Sequence, residues 1–533
     1  MHNRRSVLIA VLVLLPLSRA ATQAAQRVDL LIRGGLVIDG TGAAGRTADL
    51  GIRGDRIVFI GNAARARVTA AQTIDASGLV VAPGFIDPHT HTFDDLNSAA
   101  GRGNAGYLVQ GVTTVITGND GGGPLDARAA LAAWSRLSIG TNAALLVGHG
   151  SVRRAVLGMS SAAPTATQLD SMRSLVAQAM RGGALGISTG LYYAPGSYAA
   201  TDEVIALAKV VAEYGGIYDS HLRDESSYTI GLLAAVTEAI RIAREARIAV
   251  NISHIKALGT DVWGKSDSVI ALIRRARAEG LAVTADQYPY LASGTSVRAS
   301  LLPRWVEAGG QDSLRARLAD SSMRARIVTE MMDNLRRRGG PESLLITSAR
   351  QDSSLVGKTL GAIATERGLP PIEAALDIIS RRGDASVASF NMNEDDVRNF
   401  MRQDFVSTGS DGSGGHPRKY GTFPRKLRQY VFTEKLITLP FAIRASSSLT
   451  AANFRIENRG TLRSGYFADI IVFDTATVAD SATYREPELL ATGMRHVIVN
   501  GTFAVKDGKL TGAMAGRALG RGNRNNPSVA PPR

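Results

Sequence analysis

Eight short apolar segments recur through the middle of this 533-residue chain, and stretches with helical spacing, such as 202–214 and 232–246, separate several of them. Alternation of strand and helix is typical of repeated βα units, and eight units are what a closed parallel barrel needs. The sequence therefore predicts an α/β fold built on a (β/α)8 TIM-like barrel. The segments are 79–86, 112–117, 143–147, 184–188, 217–220, 248–253, 282–286 and 405–410.

Both ends of the chain, outside the predicted barrel, have the pattern of short antiparallel strands that turn at glycine. We expect residues 26–82 and 451–513 to form one small β-sandwich domain, and residues 83–450 to form the barrel. More chain than one crossover needs separates the seventh and eighth barrel strands. This excess predicts an inserted subdomain over about 300–370, on the side of the barrel where inserted segments often cover the site.

The first 25 residues have the layout of a secretory signal peptide: Arg4-Arg5, an apolar run over 7–17, then small residues. The apolar run is shorter than the roughly 20 residues that a membrane span needs. We therefore expect export to the periplasm or the medium and no stable membrane span after cleavage, with the Sec and Tat routes both open. At the other end, the Gly/Asn/Pro-rich residues 514–533 predict a disordered basic tail.

Composition narrows the function classes. The chain has no cysteine, which excludes disulfides and thiolate metal ligands. The net charge of +14 is strongly basic, but no interleaved aromatic residues or nucleic-acid motif accompanies it. We expect no nucleic-acid partner, and the charge suits a solvated surface with some preference for anionic substrates.

Residues able to bind metal follow several of the predicted strands. Histidines two apart on an extended segment point to the same side, and four of the eight histidines in the chain occupy such strand ends. Imidazole and carboxylate ligands suit zinc or a similar cation. One ion would bind His89, His91 and Asp411. A second ion would bind His221 and His254, and Asp120 would bridge the two ions. In chain order these ligands are His89, His91, Asp120, His221, His254 and Asp411.

Such a site would supply hydroxide at neutral pH, because a bound divalent ion lowers the pKa of water to about 7. Asp411 is placed to take the proton during attack and to pass it to the leaving nitrogen. The sequence leaves open whether one or two ions bind. It also leaves open whether Asp120 is a ligand or a turn residue beside Gly121-Gly122-Gly123.

At these motifs the chain resembles the amidohydrolase superfamily and, within it, the D-aminoacylases, which are N-acyl-D-amino-acid deacylases. The resemblance covers essentially the whole mature chain, and its longest block runs from Ser410 to Arg425. The other matching segments are 84–91, 111–115, 188–191, 253–256, 288–290 and 459–469.

The resemblance implies hydrolysis of the amide of an N-acyl-D-amino acid, with zinc as cofactor. It implies that Lys256 and Arg418 face the carboxylate of the substrate and that Tyr193 and Tyr288 are hydroxyl partners. An arginine fork holds a carboxylate by two parallel hydrogen bonds. One departure is chemical: these deacylases usually carry a metal-binding cysteine where this chain has Asp120.

Other functions remain open at the level of sequence. Within the superfamily, the chain could be a dipeptidase that acts on D-containing or isoaspartyl peptides, or a cyclic-amide hydrolase. From a different class, a degenerate barrel could bind a ligand without catalysis. The sequence does not indicate the preferred acyl group, the preferred side chain or the oligomeric state, because no recognisable pattern in the inserted subdomain and loops encodes them.

Overall fold

A computed structural model describes residues 26–381 and 384–522. The strands are β1 (Arg27–Val37), β2 (Arg46–Arg53), β3 (Arg56–Gly61), β4 (Thr69–Asp75), β5 (Val80–Pro83), β6 (Phe85–Asp87), β7 (Val112–Thr117), β8 (Asn142–Leu145), β9 (Val147–Gly148), β10 (Gly186–Gly190), β11 (Ile217–His221), β12 (Ala249–Ile252), β13 (Val283–Gln287), β14 (Ala292–Ser296), β15 (Leu344–Ser348), β16 (Ser386–Phe390), β17 (Val406–Thr408), β18 (Ile470–Phe473), β19 (Met494–Val499), β20 (Thr502–Lys506) and β21 (Lys509–Leu510). The helices are α1 (Phe93–Leu96), α2 (Ala105–Leu108), α3 (Ala127–Leu137), α4 (His149–Leu157), α5 (Ala166–Arg181), α6 (Thr201–Glu213), α7 (Leu232–Ala246), α8 (Ser266–Ala278), α9 (Val297–Leu301), α10 (Gln311–Ala319), α11 (Ser321–Arg337), α12 (Leu360–Arg367), α13 (Pro371–Arg381), α14 (Glu394–Met401), α15 (Arg418–Arg425), α16 (Leu439–Ser446) and α17 (Ser448–Asn453).

The eight predicted barrel strands are all present, and the predicted fold class is confirmed. Hydrogen bonds join β6, β7 and β8 in one parallel run, and β9 to β13 followed by β17 in another. Strands β8 and β9 are a single barrel strand interrupted at Leu146. A parallel bridge between Thr90 and Gly412 connects the segments that follow β6 and β17. The carboxyl ends of the strands therefore meet around one opening, where barrel enzymes place their sites.

The barrel strands are buried on both faces, which is why they read as apolar runs rather than alternating ones. Helices on the outside cover them with one apolar stripe each. Helix α7, for example, buries Val236, Ile240 and Ala243. Helix α5 begins with a capping box, in which Thr165 and Gln168 satisfy each other's backbone N–H groups. Its start is therefore fixed locally, while its position depends on packing.

Strands from both ends of the chain form one small β-domain beside the barrel. The sequence predicts one small β-sandwich from residues 26–82 and 451–513, and the structure joins nine strands from these two segments into one sheet around a shared apolar core. Strand β1 pairs with β4 before Gly34 and with β5 after Gly35. Gly34 has a φ of +68°, and a Cβ on Gly35 would collide with Val81, so this bend requires glycine at both positions. Because β1 bends here, it pairs with β4 in one part of the sheet and with β5 in the other, and so joins the two parts.

The inserted subdomain is larger than the predicted range of about 300–370. Its antiparallel sheet has the order β14-β16-β15, so it runs from Ala292 to Phe390, and helices α9 to α13 pack a separate apolar core against it. The sequence did not reveal β14 because the segment Ala-Ser-Gly-Thr-Ser has no apolar run. Only pairing with distant β16 defines it as a strand.

The carboxyl-terminal prediction needs a correction. Residues 514–522 are not a disordered tail: Gly516 N–H donates to Ile139 O (2.8 Å), and Leu519 N–H donates to Ala143 O (2.7 Å). Composition missed this because the ordering comes from backbone pairing beside β8 and from packing of Leu519 on a barrel cluster. The predicted signal peptide (1–25) and residues 523–533 lie outside the described residues. Among the residues that are described, no helix is both long and apolar enough to cross a membrane.

One buried carboxylate ties the β-domain to the barrel. Asp469, just before β18, accepts hydrogen bonds from Asn500 N (2.8 Å) and from Asn142 Nδ2 (3.2 Å) in barrel strand β8. It also pairs with the buried guanidinium of Arg459. Two domains therefore share one charged group that water does not reach.

We expect Asp469→Ala to lower the free energy of unfolding by about 3–5 kcal/mol, because it leaves the Arg459 charge buried and unpaired. Urea denaturation followed by circular dichroism measures the change. The matched control is Asp170→Ala, which breaks the exposed Arg173–Asp170 pair (2.8 Å) on helix α5 and should cost about 0–1 kcal/mol. Equal losses in the two variants would contradict the assigned role of Asp469.

Candidate metal centre

The structure brings all six predicted metal ligands to the carboxyl-terminal opening of the barrel. Each lies at the end of a strand or within four residues after it. Two groups of side chains have ligand atoms within 4.8 Å of one another, and Asp120 belongs to both. The first group is His89, His91, Asp120 and Asp411, and the second is Asp120, His221 and His254.

Asp120 lies between the four imidazoles. Its Oδ1 is 3.4 Å from His89 Nε2, from His221 Nδ1 and from His254 Nε2. Its Oδ2 is 3.5 Å from His91 Nε2. This geometry favours the bridging role over the simple turn residue that the sequence left open.

The residues fit divalent cations. Both ring nitrogens of His89, Nδ1 of His221 and Oδ1 of Asp120 are buried and have no hydrogen-bond partner within the described part of the chain. Buried polar atoms are normally satisfied, so a converging group of orphaned lone pairs indicates a missing partner. Neutral imidazole and carboxylate are the donors that zinc and similar borderline ions prefer.

Three of the six ligands have a strained backbone conformation that turns their side chains towards the centre. Asp120, His254 and Asp411 have φ values of 55°, 35° and 48°, in the left-handed region that non-glycine residues rarely adopt. Each such residue costs on the order of 1–3 kcal/mol and persists only where its surroundings hold it. The backbone N–H of His254, for instance, donates to Asp286 Oδ1 (2.9 Å). The loops after the strands are therefore fixed before any ion binds.

A layer of buried carboxylates lies beneath the ligands, and sequence analysis missed it. Asp87 Oδ1 accepts from the backbone N–H of His89 (3.2 Å) and of Ser410 (2.9 Å), which joins the first and last barrel strands. Burial raises the pKa of Asp87 to about 7. Asp286, at the end of β13, holds the His254 loop in the same way. The sequence did contain a signal for both aspartates, because Asp87 lies within the resembling segment 84–91 and Asp286 lies just before the resembling segment 288–290. Their role is to hold the loops that carry the ligands in position.

Carboxylates around the centre raise the pKa of two of the metal-binding histidines. Burial lowers the pKa of His91, but hydrogen bonds and charge from Asp120 and Asp411 outweigh it and raise that pKa to about 9. Burial and Lys256 oppose the carboxylates around His254 in the same way, and its pKa still rises to about 10. Burial works against the charge of Asp120 too, yet the neighbouring histidines hold its pKa well below its usual range.

A cavity of about 650 Å³ opens beside the centre, and all four predicted substrate-binding residues line it. Two of them are already paired: Arg418 Nη1 lies 2.7 Å from Asp411 Oδ2, and Lys256 Nζ lies 2.6 Å from Glu225 Oε1. Tyr288 OH is buried without a hydrogen-bond partner among the described residues. Tyr193 OH lies 3.3 Å from Thr295 Oγ1 in β14.

Glu225 is a site residue that sequence analysis missed. It follows His221 by four residues, and its Oε1 lies 3.1 Å from His254 Nδ1 as well as beside Lys256. Burial acts to raise the pKa of Glu225, but the charges of Lys256 and the two histidines hold it far below its usual range. The sequence signal was a second carboxylate beyond the strand end, in His221-Leu222-Arg223-Asp224-Glu225. Glu225 neutralises Lys256 and holds its amine, which lies 2.7 Å from His254 Nδ1, so the two side chains together orient the His254 ring.

Known proteins share this chain's sequence and structure over most of its length. A family model described as "Amidohydrolase family" matches residues 72–505. The chain is 38% identical over 524 residues to a D-aminoacylase of Alcaligenes xylosoxydans xylosoxydans, covering 93% of this chain and 98% of that relative. It is 36% identical over 502 residues to an N-acyl-D-glutamate deacylase of the same organism, covering 89% of this chain and 93% of that relative.

A solved structure gives the same result. It is N-acyl-D-glutamate deacylase from Bordetella bronchiseptica, complexed with zinc and a phosphonate inhibitor that mimics the tetrahedral intermediate. It superposes with a TM-score of 0.79 at 34% identity and covers 93% of this chain and 100% of that chain. The resemblance stated from the sequence motifs is therefore confirmed.

We expect Asp120→Ala to bind roughly half or less of the zinc that the wild type binds, because this carboxylate serves both groups of ligands. Mass spectrometry of the metal content after dialysis against zinc measures the loss. Asp170→Ala, an exposed site on helix α5, is the control and should keep the wild-type content. Retention of all zinc by Asp120→Ala would return Asp120 to a simple turn residue.

Zinc affinity should fall as the pH falls. Below a pKa of about 9 for His91 and about 10 for His254, each ring carries a proton that binding must release. The dissociation constant should therefore rise about tenfold per pH unit for each proton released. Competition with a chelator between about pH 6 and 7.5 measures it. A constant affinity over this range would mean that the imidazoles are already neutral.

Proposed function

The chain belongs to the amidohydrolase family, and we propose that it hydrolyses the amide bond of N-acyl-D-amino acids to a carboxylate and a D-amino acid. The observation that carries the proposal is the position of Asp411, which joins the metal ligands to Arg418 in one cavity. The names of the relatives support the linear amide and the D configuration. Zinc is the cofactor that the ligand set and the solved relative support.

When bound at these ligands, a divalent cation supplies a Lewis acid and lowers the pKa of water to about 7. The proton is handled by Asp411. Its Oδ1 is 3.0 Å from His91 Nε2, and its Oδ2 faces Arg418 Nη1. Although burial works against ionisation, Arg418 and the nearby histidines hold the pKa of Asp411 well below its usual range. Asp411 is therefore ionised at neutral pH, accepts a proton from the attacking water and returns it to the amide nitrogen as the C–N bond breaks.

Unsatisfied donors beside Asp411 suit the carboxylate of the substrate. Arg418 Nε and Tyr288 OH are buried, and neither has a hydrogen-bond partner among the described residues. The guanidinium of Arg418 lies 4.7 Å from the centre of the Tyr288 ring, and the Lys256 amine lies 5.8 Å from it. A Cβ on Gly294 would lie 2.9 Å from Arg418 Nη2, so glycine there leaves room for the guanidinium and its ligand. Arg418 therefore serves Asp411 and the substrate together.

We also propose that the protein is exported. The support is the sequence of residues 1–25, with its basic start, short apolar run and small residues before Gln26. An extracytoplasmic deacylase would meet N-acylated amino acids released outside the cytoplasm.

We expect Asp411→Asn to lower kcat by about 10²–10⁴-fold on N-acetyl-D-methionine, because the amide no longer accepts the proton. Zinc content, measured on the same sample, should stay at half of the wild-type value or more, roughly as loss of one of several ligands allows. The wild-type enzyme should turn over the D substrate faster than its L enantiomer.

The same panel includes dipeptides that contain D residues, isoaspartyl dipeptides and hydantoins. Preference for one of these would replace the proposed reaction by another in the superfamily. Near-normal turnover by Asp411→Asn with full zinc would remove Asp411 from proton transfer. An absence of turnover on the whole panel by the zinc-loaded wild type would leave a binding protein.

A further inference from the structure

The inserted subdomain builds one wall of the active-site cavity, and that wall carries arginines. Arg338 directly follows helix α11, and Arg350 follows strand β15 by two residues; both line the cavity. Arg350 is exposed at the rim, whereas Arg338 is only 2% exposed. The barrel itself supplies the other two cations of the cavity, Lys256 and Arg418.

Arg338 has only neutral partners. Its Nε donates to Ser300 O (3.1 Å), and its Nη2 donates to Tyr192 OH (3.2 Å). When the amide of Asn391 is turned so that its oxygen faces the guanidinium, Nη1 lies 3.3 Å from that oxygen. Over residues 26–381 and 384–522, no carboxylate forms an ion pair with Arg338. The charge is therefore buried but not neutralised.

Burial of an unneutralised charge has an energetic consequence. Desolvation of an ion is costly even after relaxation of the protein. The carboxyl-terminal dipole of helix α11 offsets only a small part of this cost for a cation. The Tyr228 ring, 5.7 Å away, adds a contribution of the same order. These terms do not replace a counter-charge, which Lys256 and Arg418 both have.

Arg338 lies close to the chemistry. The ring of Tyr192, whose hydroxyl accepts from Arg338, stacks on the ring of the metal ligand His221 with centroids 6.0 Å apart. One tyrosine therefore separates the guanidinium from the metal centre. Arg418, by contrast, reaches the centre through Asp411. The cavity has two cationic positions that contact the centre through different neighbours.

We propose that Arg338 is a specificity-determining residue that binds a second carboxylate of the substrate. The preferred substrates are then N-acyl amino acids that carry a carboxylate beyond the one held near Arg418 and Tyr288. That second carboxylate belongs either to the amino-acid side chain or to a dicarboxylic acyl group. The inference rests on the proposed deacylase function and deepens it, since the names of the relatives leave the charge of the substrate open.

The test compares kcat/KM for matched substrate pairs in the zinc-loaded enzyme. N-acetyl-D-glutamate against N-acetyl-D-glutamine tests the side chain, and N-succinyl-D-leucine against N-butyryl-D-leucine tests the acyl group. We expect the wild type to favour the acidic member of one pair by about tenfold or more. Arg338→Met should lower that ratio by about 10–100-fold, because it removes the charged donors that distinguish the acidic substrate from its neutral analogue.

Arg336→Met is the matched control. Arg336 lies on helix α11, two residues before Arg338, where its Nη1 pairs with Asp261 Oδ1 (2.9 Å) at the surface, and its removal should change the ratio by less than about twofold. Arg338→Lys should restore part of the ratio, since it keeps the charge without the fork. Melting temperatures of the variants identify any that do not fold. The pair that responds identifies the source of the second carboxylate.

Binding of glutarate and of butyrate, measured by calorimetry, separates this inference from the proposed function. If the wild type turns over none of the four substrates but binds glutarate at least about tenfold more tightly than Arg338→Met does, the deacylase proposal fails and the carboxylate site stands. If Arg338→Met lowers kcat/KM equally within both pairs, or binds glutarate as tightly as the wild type, Arg338 is a structural residue and the inference is wrong.

Discussion

Four imidazoles and one carboxylate, Asp120, meet at the opening of the barrel, and three of the imidazoles are buried. Three of their atoms, His89 Nε2, His221 Nδ1 and Asp120 Oδ1, converge at 3.4 Å and have no hydrogen-bond partner among the described residues, which is unstable without positive charge between them. Protons can supply that charge, as the raised pKa values of His91 and His254 indicate. Divalent ions supply it better, and much of the surrounding structure serves to keep these five groups together.

The barrel provides that constraint through its strand ends. Asp87 joins the first and last strands by accepting from His89 and Ser410, and Asp286 fixes the backbone of His254. The three ligand positions with left-handed backbone, including Asp120, store strain that the closed barrel supports. Asp469 plays a similar part between the barrel and the β-domain, because its buried charge contacts residues of both. Stability and site geometry thus depend on one set of buried polar contacts.

The barrel could be predicted from the sequence because parallel strands buried on both faces are short apolar runs, which the helices and loops between them are not. It also located the ligands, since His89 and His91 stand in a motif directly after a strand. It did not find Glu225 or the full inserted subdomain, because their positions depend on distant pairing. Strand β14, for example, is defined only by β16, almost one hundred residues later. Pairing of residues 514–522 with β8 is of the same kind, and composition averages over it.

The pairing of charges explains how one cavity can combine catalysis with selection. Glu225 neutralises Lys256, and Asp411 neutralises Arg418, so the barrel cations are balanced before any substrate enters. In the proposed reaction, an incoming carboxylate would therefore gain from Arg418 mainly through hydrogen-bond geometry, which would fix the orientation at the chiral centre. Arg338 differs, since its charge is buried among neutral groups and any anion beside it relieves a desolvation cost. Because that arginine stands on the inserted subdomain and the metal ligands stand on the barrel, substrate preference can change without disturbing the chemistry.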